Sequence, residues 1–335
     1  MADRAALIAA FLDRAGWGGA ARAALAADAS FRRYDRLAQG AARAVLMDAP
    51  PPGEDVRPFA AICRHLRALG YSAPGIVAED AGAGLLLLED FGDDTFTRLL
   101  ARGADETALY MLACDLLVDL HRRDESEAVP AGLAPYDEAA LLREARLLAK
   151  WYAPRALGAP LPPATAREYD DLWRLAFRGL ADAPRTLVLR DFHVDNLIRL
   201  EGRHGVAACG LLDFQDALHG PAAYDLVSLV EDARRDIADG LRQAVIDRYC
   251  AALYGIDRDG LMRAMAILGA QRHAKVIGIF TRLCDRDGKP GYLSHIPRVW
   301  RLLERSLAHP SLSALRAWFD AHIPPDARRA PKVAS

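Results

Sequence analysis

Between residues 187 and 212 the chain carries three short apolar runs separated by polar loops, and this spacing limits what the middle of the molecule can be. Leu187-Val188-Leu189, Leu197-Ile198 and the run 206–212 are too short for helices and are bounded by turn residues, so they read as strands. Glu201-Gly202-Arg203-His204-Gly205 turns the second run back on the third as a hairpin. Asp191 and Asn196 then sit in the loop before the hairpin, and Asp213 at the end of its return strand. Three oxygen-bearing side chains so placed have two readings: a polar surface turn, or a corner that holds a hard cation.

The rest of the chain predicts an α+β molecule. Residues 3–15 have the spacing of an amphipathic helix that stops near Gly16. Residues 30–37 and 43–47 alternate as strands about a Gln39-Gly40 turn, and Pro50-Pro51-Pro52-Gly53 breaks the chain. Residues 56–69 form a helix closed by Gly70, and 76–79 with 85–89 a second hairpin. From Thr95 onward the pattern is helical apart from the runs already named. A chain of 335 residues buries a large core and divides readily. The division falls into a small mixed lobe at 1–90, a large helical lobe at 91–323 and a polar tail at 324–335 that should fray.

Composition excludes several classes. With 43 Lys and Arg against 45 Asp and Glu there is no basic surplus for a general nucleic-acid binder. No apolar stretch approaches the ~18 residues of a membrane span, and the one at 85–88 runs at once into Glu89 and Asp90. Asp3, Arg4, Asp13 and Arg14 interrupt the first apolar run, unlike a secretory signal. Five cysteines, widely spaced and without a C-x-x-C, read as reduced side chains of a cytoplasmic protein rather than a disulfide or zinc framework.

Asp191, Asn196 and Asp213 suit phosphoryl transfer from ATP. That reaction needs positioning, neutralisation of phosphate charge and a group that orients the attacking hydroxyl. Mg²⁺ prefers carboxylate and amide oxygens and keeps phosphate oxygens and waters in its shell. In a D-x-x-x-x-N loop the Asp faces the substrate hydroxyl and the Asn the metal, while a second Asp holds the metal on the phosphates.

LRDFHVDN resembles the H-G-D-x-H-x-x-N signature of the aminoglycoside phosphotransferase-like kinases. Asp191, His193 and Asn196 match it, whereas Leu189 and Arg190 replace its His and Gly. LLDFQDALHGPAAYDLVSLVEDARRD resembles the second signature, D-[FW]-x-D followed by G-P-x-x-[YF]-D-L, through Asp213, Asp216, Gly220, Pro221, Tyr224 and Asp225. The similarity is closest to the bacterial anomeric kinases of N-acetylmuramate and N-acetylglucosamine that serve cell-wall recycling. ASFRRYDRL, VLMDAPP, GLLLLEDFGDDT and AKVIGIFTRLCDRDGKPGYLSHIPRVW carry it, over residues 5 to 323. The resemblance implies a protein-kinase-like bilobal fold, ATP and Mg²⁺, and a small sugar acceptor phosphorylated on its anomeric hydroxyl. Asp191 would be the catalytic base, with Asn196 and Asp213 on the metal. His193 would orient the loop, Asp216 would ligate or support the metal site, and Asp225 would support the loop by hydrogen bonds from a helix start. Kinases of another small alcohol, such as an aminoglycoside, choline or an amino-acid hydroxyl, remain open, as does a silent nucleotide-binding pseudokinase.

On the nucleotide side, resemblance places the adenine-holding backbone at Glu89-Asp90-Phe91 and the phosphate-covering turn around Ser30; an edge strand running into a helix N-cap is the other reading of 89–94. Kinases normally carry a strand Lys that pairs with the α- and β-phosphates. The four lysines here are Lys150, Lys275, Lys289 and Lys332, and the expected position is Met47. Arg43, on the same strand face, or Arg32 or Arg33 from the neighbouring strand, are the candidates to supply that charge. On the acceptor side, Arg272, Lys275, Arg282 and Arg286 fall on one helical face. That face reads either as solvated or as a pocket lining that suits an acidic or neutral sugar better than a polycation.

Overall fold

Side-chain alternation in the first hairpin decides which side of the N-terminal sheet is dry. The strands, in a computed structural model that describes residues 4–25 and 32–332, are β1 (Ala21–Ala24), β2 (Arg33–Gln39), β3 (Ala42–Asp48), β4 (Ile76–Asp80), β5 (Leu85–Glu89), β6 (Arg185–Val188), β7 (Leu197–Arg199), β8 (Cys209–Leu211) and β9 (Leu218–Pro221). β1 to β5 form one antiparallel sheet in the order β1-β2-β3-β5-β4. Leu37, Ala44, Leu46, Leu85 and Leu87 pack beneath the helix Arg4–Arg14 through Ile8, Phe11 and Leu12. The alternate positions Tyr34, Arg36, Val45, Met47 and Leu88 line a cleft instead. Leu85 to Leu88 are all buried, which is why that strand is apolar at every position rather than at every second one. β1 carries only Ala and Arg and no β-branched or aromatic residue, so its edge pairing with β2 leaves no mark in the sequence pattern.

The chain forms two compact units, 1–112 with 194–217, and 113–193 with 218–335. This partition differs from the 1–90 and 91–323 lobes read from the sequence, because residues 91–112 and the β7–β8 hairpin both cluster with the N-terminal unit. The Leu211 amide donates to the Ser72 carbonyl at 2.8 Å, the Thr97 amide to the Val194 carbonyl at 3.2 Å, and Phe214 stacks on Phe59 with centroids 4.8 Å apart.

The C-terminal unit is mainly helical and is organised on the helix Arg258–Asp287, of 30 residues. It packs against the helices Glu138–Leu147, Ala223–Val230 and Ile296–Leu307. Residues from Gly269 to Gly278 are buried all the way round, Gln271, Arg272, His273 and Lys275 included, so the helix is central rather than amphipathic. Gly278 permits close approach: a Cβ there would stand 2.2 Å from the Leu147 carbonyl carbon. β6 and β9 form a separate antiparallel pair.

The described part of the tail makes contacts with the rest of its unit. Tyr152 Oη donates to the carbonyls of Ala327 at 2.6 Å and Arg329 at 2.9 Å. The Arg328 side chain, 7% exposed, pairs with Glu304 at 2.9 Å and Asp320 at 2.6 Å while lying over the Trp300 ring. A long Arg stem covering an aromatic face gives this polar segment the apolar anchorage that its composition hides. Among the described residues no helix is long and apolar enough to cross a membrane, and the five cysteines are free.

Candidate functional site

The candidate side chains fall into two groups, one in each unit. The chain passes from the C-terminal to the N-terminal unit between His193 and Val194, inside the loop that carries Asp191 and Asn196.

In the N-terminal unit a cleft of about 620 Å³ lies between the sheet positions named above and the ends of β7 and β8, where Asn196, Ile198, Leu212, Asp213 and Asp216 line it. This volume is in the range that takes a nucleotide-sized ligand. Glu89, Asp90 and Phe91 form one border. The Glu89 carboxylate accepts the Gly75 amide at 3.0 Å and pairs with Arg67 at 3.3 Å. The Asp90 carboxylate accepts the Gly92 amide at 2.9 Å and pairs with Arg36 at 2.7 Å. These side chains are thus committed to internal partners. Among the described residues no backbone hydrogen bond engages the N–H or C=O of Phe91, which suits a strip that reads a base edge through its main chain.

Asn196 Nδ2 lies 3.5 Å from Asp213 Oδ2, and Gln215 Nε2 donates to Asp213 Oδ1 at 2.8 Å. Asp213 adopts φ 57°, a left-handed conformation that Asp tolerates because its short side chain bonds locally. A carboxylate and a carboxamide this close fit a hard cation that completes its shell with phosphate oxygens and water. Among the described residues no cluster of three or more His, Cys, Asp or Glu side chains converges, so any metal here would take much of its shell from substrate.

The arginine candidates separate. Arg43 donates to the carbonyls of Gly40 at 2.7 Å and Ala42 at 2.8 Å, at the outer end of its strand and away from the cleft lining. Arg33 is exposed and alternates with Tyr34 onto the other sheet face. Arg32 lines the cleft. Ser30 lies outside the described residues.

In the C-terminal unit the loop after β6 is fastened before it reaches Asp191. Asp225, in the first turn of the helix Ala223–Val230, accepts the Leu189 amide at 2.6 Å on Oδ2 and the Arg190 amide at 2.8 Å on Oδ1. Arg190 occupies the position where the family signature has Gly and adopts φ 70°. Its carbonyl accepts Arg272 Nη1 at 3.1 Å and Ser228 Oγ at 3.2 Å. Its guanidinium pairs with Glu144 and lies over the Tyr136 ring. Lys275 Nζ pairs with Glu144 at 3.2 Å and reaches Tyr224 Oη at 3.4 Å.

The Asp191 side chain keeps 36% exposure, with Arg272 Nη1 at 3.9 Å. Desolvation pushes its pKa up, but Lys275, Arg272, His193 and Arg190 together hold it below the ordinary carboxylate value. It is therefore ionised at neutral pH and can accept a hydrogen bond from a substrate hydroxyl. His193 is buried, and its amide donates to the Asp191 carbonyl at 3.2 Å.

Arg272 and Lys275 are not the solvated face that their spacing allows; they are 5% and 6% exposed and sit in this network. Arg282 is ten residues further on, about 15 Å along the helix, and its charged neighbours are Arg286 and Asp287. The sequence reading missed Glu144, which anchors both Arg190 and Lys275. It lies in no motif, and between Arg143 and Ala145, in a helix that also carries Glu138 and Arg146, nothing local separates it from a solvated acid.

The model of the phosphotransferase enzyme family matches residues 22–268. An N-acetylmuramate/N-acetylglucosamine kinase of Caulobacter vibrioides is 37% identical, over 98% of this chain and 99% of the relative. A protein of the same description from Pseudomonas aeruginosa is 42% identical, over 90% of this chain and 89% of the relative. Among solved structures, an ADP-bound aminoglycoside phosphotransferase superposes with a TM-score of 0.57 at 15% identity, over 85% of this chain and 92% of that one. At that identity the likeness speaks for the protein-kinase-like fold alone.

Proposed function

Since the chain belongs to the phosphotransferase enzyme family, we propose that it moves the γ-phosphoryl group of ATP to the anomeric hydroxyl of N-acetylmuramate or N-acetylglucosamine, in the cytoplasm, as a step of peptidoglycan recycling. The observation that carries this reading is the partly exposed Asp191 side chain beside Arg272, with Lys275 and Arg190 acting on it electrostatically. Asp191 accepts a hydrogen bond from the sugar hydroxyl and takes its proton. The hydroxyl oxygen bonds to the γ-phosphorus, the bond to the β-phosphate oxygen breaks, and sugar 1-phosphate and ADP leave.

Arg272 and Lys275 are buried and their charges are met by Asp191 and Glu144, so the choice of an amino sugar as acceptor is supported by the relatives rather than by a cationic face. Asn196 and Asp213 would hold Mg²⁺, which when bound neutralises phosphate charge. The backbone of Asp90 and Phe91 would hold the adenine edge.

The test is ADP release from ATP with a panel of acceptors: both amino sugars, an aminoglycoside, choline and serine. Phosphorus NMR of the product then assigns the phosphorylated oxygen. Turnover with the amino sugars and a 1-phosphate product is the expected result. Release with choline or an aminoglycoside alone moves the function to another alcohol, and silence across the panel removes it.

A further inference from the structure

The N-terminal unit contains no lysine, since the four in the chain fall at 150, 275, 289 and 332. Its cleft must therefore meet any polyanion by other means. Among the described residues two cations line it, Arg32 and Arg36. Arg36 is committed to the border strip: it pairs with Asp90 at 2.7 Å and Asp93 at 2.6 Å, and donates to the Gly92 carbonyl at 3.0 Å.

Arg32 is placed differently. It stands just before β2, with a side chain 11% exposed, and its Nε donates to Glu54 Oε2 at 3.0 Å; Glu54, just ahead of the helix Arg57–Ala68, is 14% exposed. Both residues line the same cleft as Asn196, Asp213 and Asp216. Placing an ion pair at a cleft wall costs desolvation, and a surface location would avoid that cost. Held there, the guanidinium borders the cleft that Asn196 and Asp213 also line, and Tyr34, Glu54 and Asp216 act on it electrostatically.

We infer that Arg32, held by Glu54, binds the nucleotide phosphates in place of the lysine that position 47 lacks. The inference rests on the phosphotransferase reading of this cleft. A guanidinium takes phosphate oxygens through paired donors, and a fixed partner reduces the side-chain freedom lost on binding. Bringing the charge in from the start of β2 leaves Met47, 1% exposed, as an apolar part of the lining.

Calorimetric titration of the full chain with Mg·ATP and with adenosine separates this role from a structural one, because adenosine carries base and ribose but no phosphate. Arg32→Gln should weaken ATP at least ~10-fold, as loss of a charge-assisted contact does, and leave adenosine within about 2-fold. Glu54→Gln, which keeps the guanidinium but releases it, should weaken ATP by a smaller factor. If Arg32→Gln does not fold, Arg32→Lys retains the pair with Glu54 and should still bind ATP more weakly than wild type, with adenosine unchanged. Unchanged ATP affinity in the folded position-32 variant, or equal losses for ATP and adenosine, overturns the inference and leaves the phosphotransferase reading standing. A wild-type chain that binds no ATP removes both.

Discussion

Asp225 Oδ1 accepts the backbone amide of Arg190 at 2.8 Å, and Arg190 is a non-glycine residue held at φ 70°. A left-handed conformation costs an L-residue with a Cβ roughly 1–2 kcal/mol, and here several contacts offset it. Asp225 fixes the amide side of the residue, Arg272 and Ser228 fix its carbonyl, and Glu144 takes its guanidinium. The residue immediately before Asp191 is thus held from three directions, which suits the proposed role of Asp191 in meeting a substrate hydroxyl within hydrogen-bond reach.

Burial pushes the Asp225 carboxyl up to about 7, against the opposing pull of the Leu189 and Arg190 amides and of Arg272. A carboxyl with a folded pKa above its unfolded value of ~3.9 binds a proton more tightly when folded. Its stabilising contribution is fully present below the unfolded value and is lost as pH rises through the folded one. Urea unfolding between about pH 5 and about pH 8 should show wild type losing stability relative to Asp225→Asn, at up to ~1.4 kcal/mol per pH unit below the folded value. Parallel pH profiles for the two proteins would assign the titration elsewhere.

Asp191→Asn keeps the size of the side chain and removes the proton acceptor. The fold and ATP affinity should be retained while turnover falls by at least ~10²-fold, the usual magnitude of general-base catalysis. Steady-state kinetics with the acceptor identified by the panel measures it. Turnover within a few fold of wild type would take Asp191 out of the reaction.

Against the desolvation that raises it, Lys275 lowers the Asp191 pKa more than Arg272, His193 or Arg190 does. In Lys275→Met that pull is gone, and Glu144 still has Arg190, Tyr136 and Gln271 as partners. The Asp191 pKa then rises, so the acidic limb of the kcat/KM profile should move to higher pH. A profile that drops in height without moving would mean that Lys275 contacts the acceptor or supports the loop and does not tune the base.

Asp213 combines a carboxylate in the cleft with φ 57°. Asn tolerates that conformation, so Asp213→Asn tests the charge without straining the turn. The magnesium concentration for half-maximal rate should rise ~10-fold or more, as expected when a carboxylate ligand to a hard cation is lost. An unchanged magnesium titration would speak against ligation at this position.

The parts of the fold that were legible are those written in local pattern. The β2–β3 hairpin alternates, the β7–β8 hairpin is bounded by Gly202 and Gly205, and Asp191, Asn196 and Asp213 follow a spacing that chemistry constrains. What stayed hidden depends on distant partners. Glu144 anchors Arg190 across 46 positions of sequence, and no local spacing announces that pair. The basic spacing of Arg272, Lys275 and Arg282 looked amphipathic, yet the helix is buried on every side around the first two and their charges are met by Glu144 and Asp191. Arg43 shares the strand face of Met47, but at the strand end its guanidinium folds back on the carbonyls of its own turn.

Gly278 shows the same dependence on a distant partner and gives a stability test. It lies within the helix Arg258–Asp287, where Gly is normally ~1 kcal/mol worse than Ala, so local propensity alone favours Gly278→Ala. Packing argues the opposite. An added Cβ would stand 2.2 Å from the Leu147 carbonyl carbon and 2.4 Å from its oxygen, and backbone cannot swing aside as a side-chain tip can. Leu147 is also where the helix Glu138–Leu147 passes into the π turn Leu148–Tyr152, so any shift there disturbs the segment that carries Glu144. Overpacking of this kind costs ~1–3 kcal/mol, more than the propensity gain. Gly278→Ala should therefore lower the unfolding midpoint and reduce turnover together. A midpoint equal to or above that of wild type would mean that the two helices part readily at this crossing.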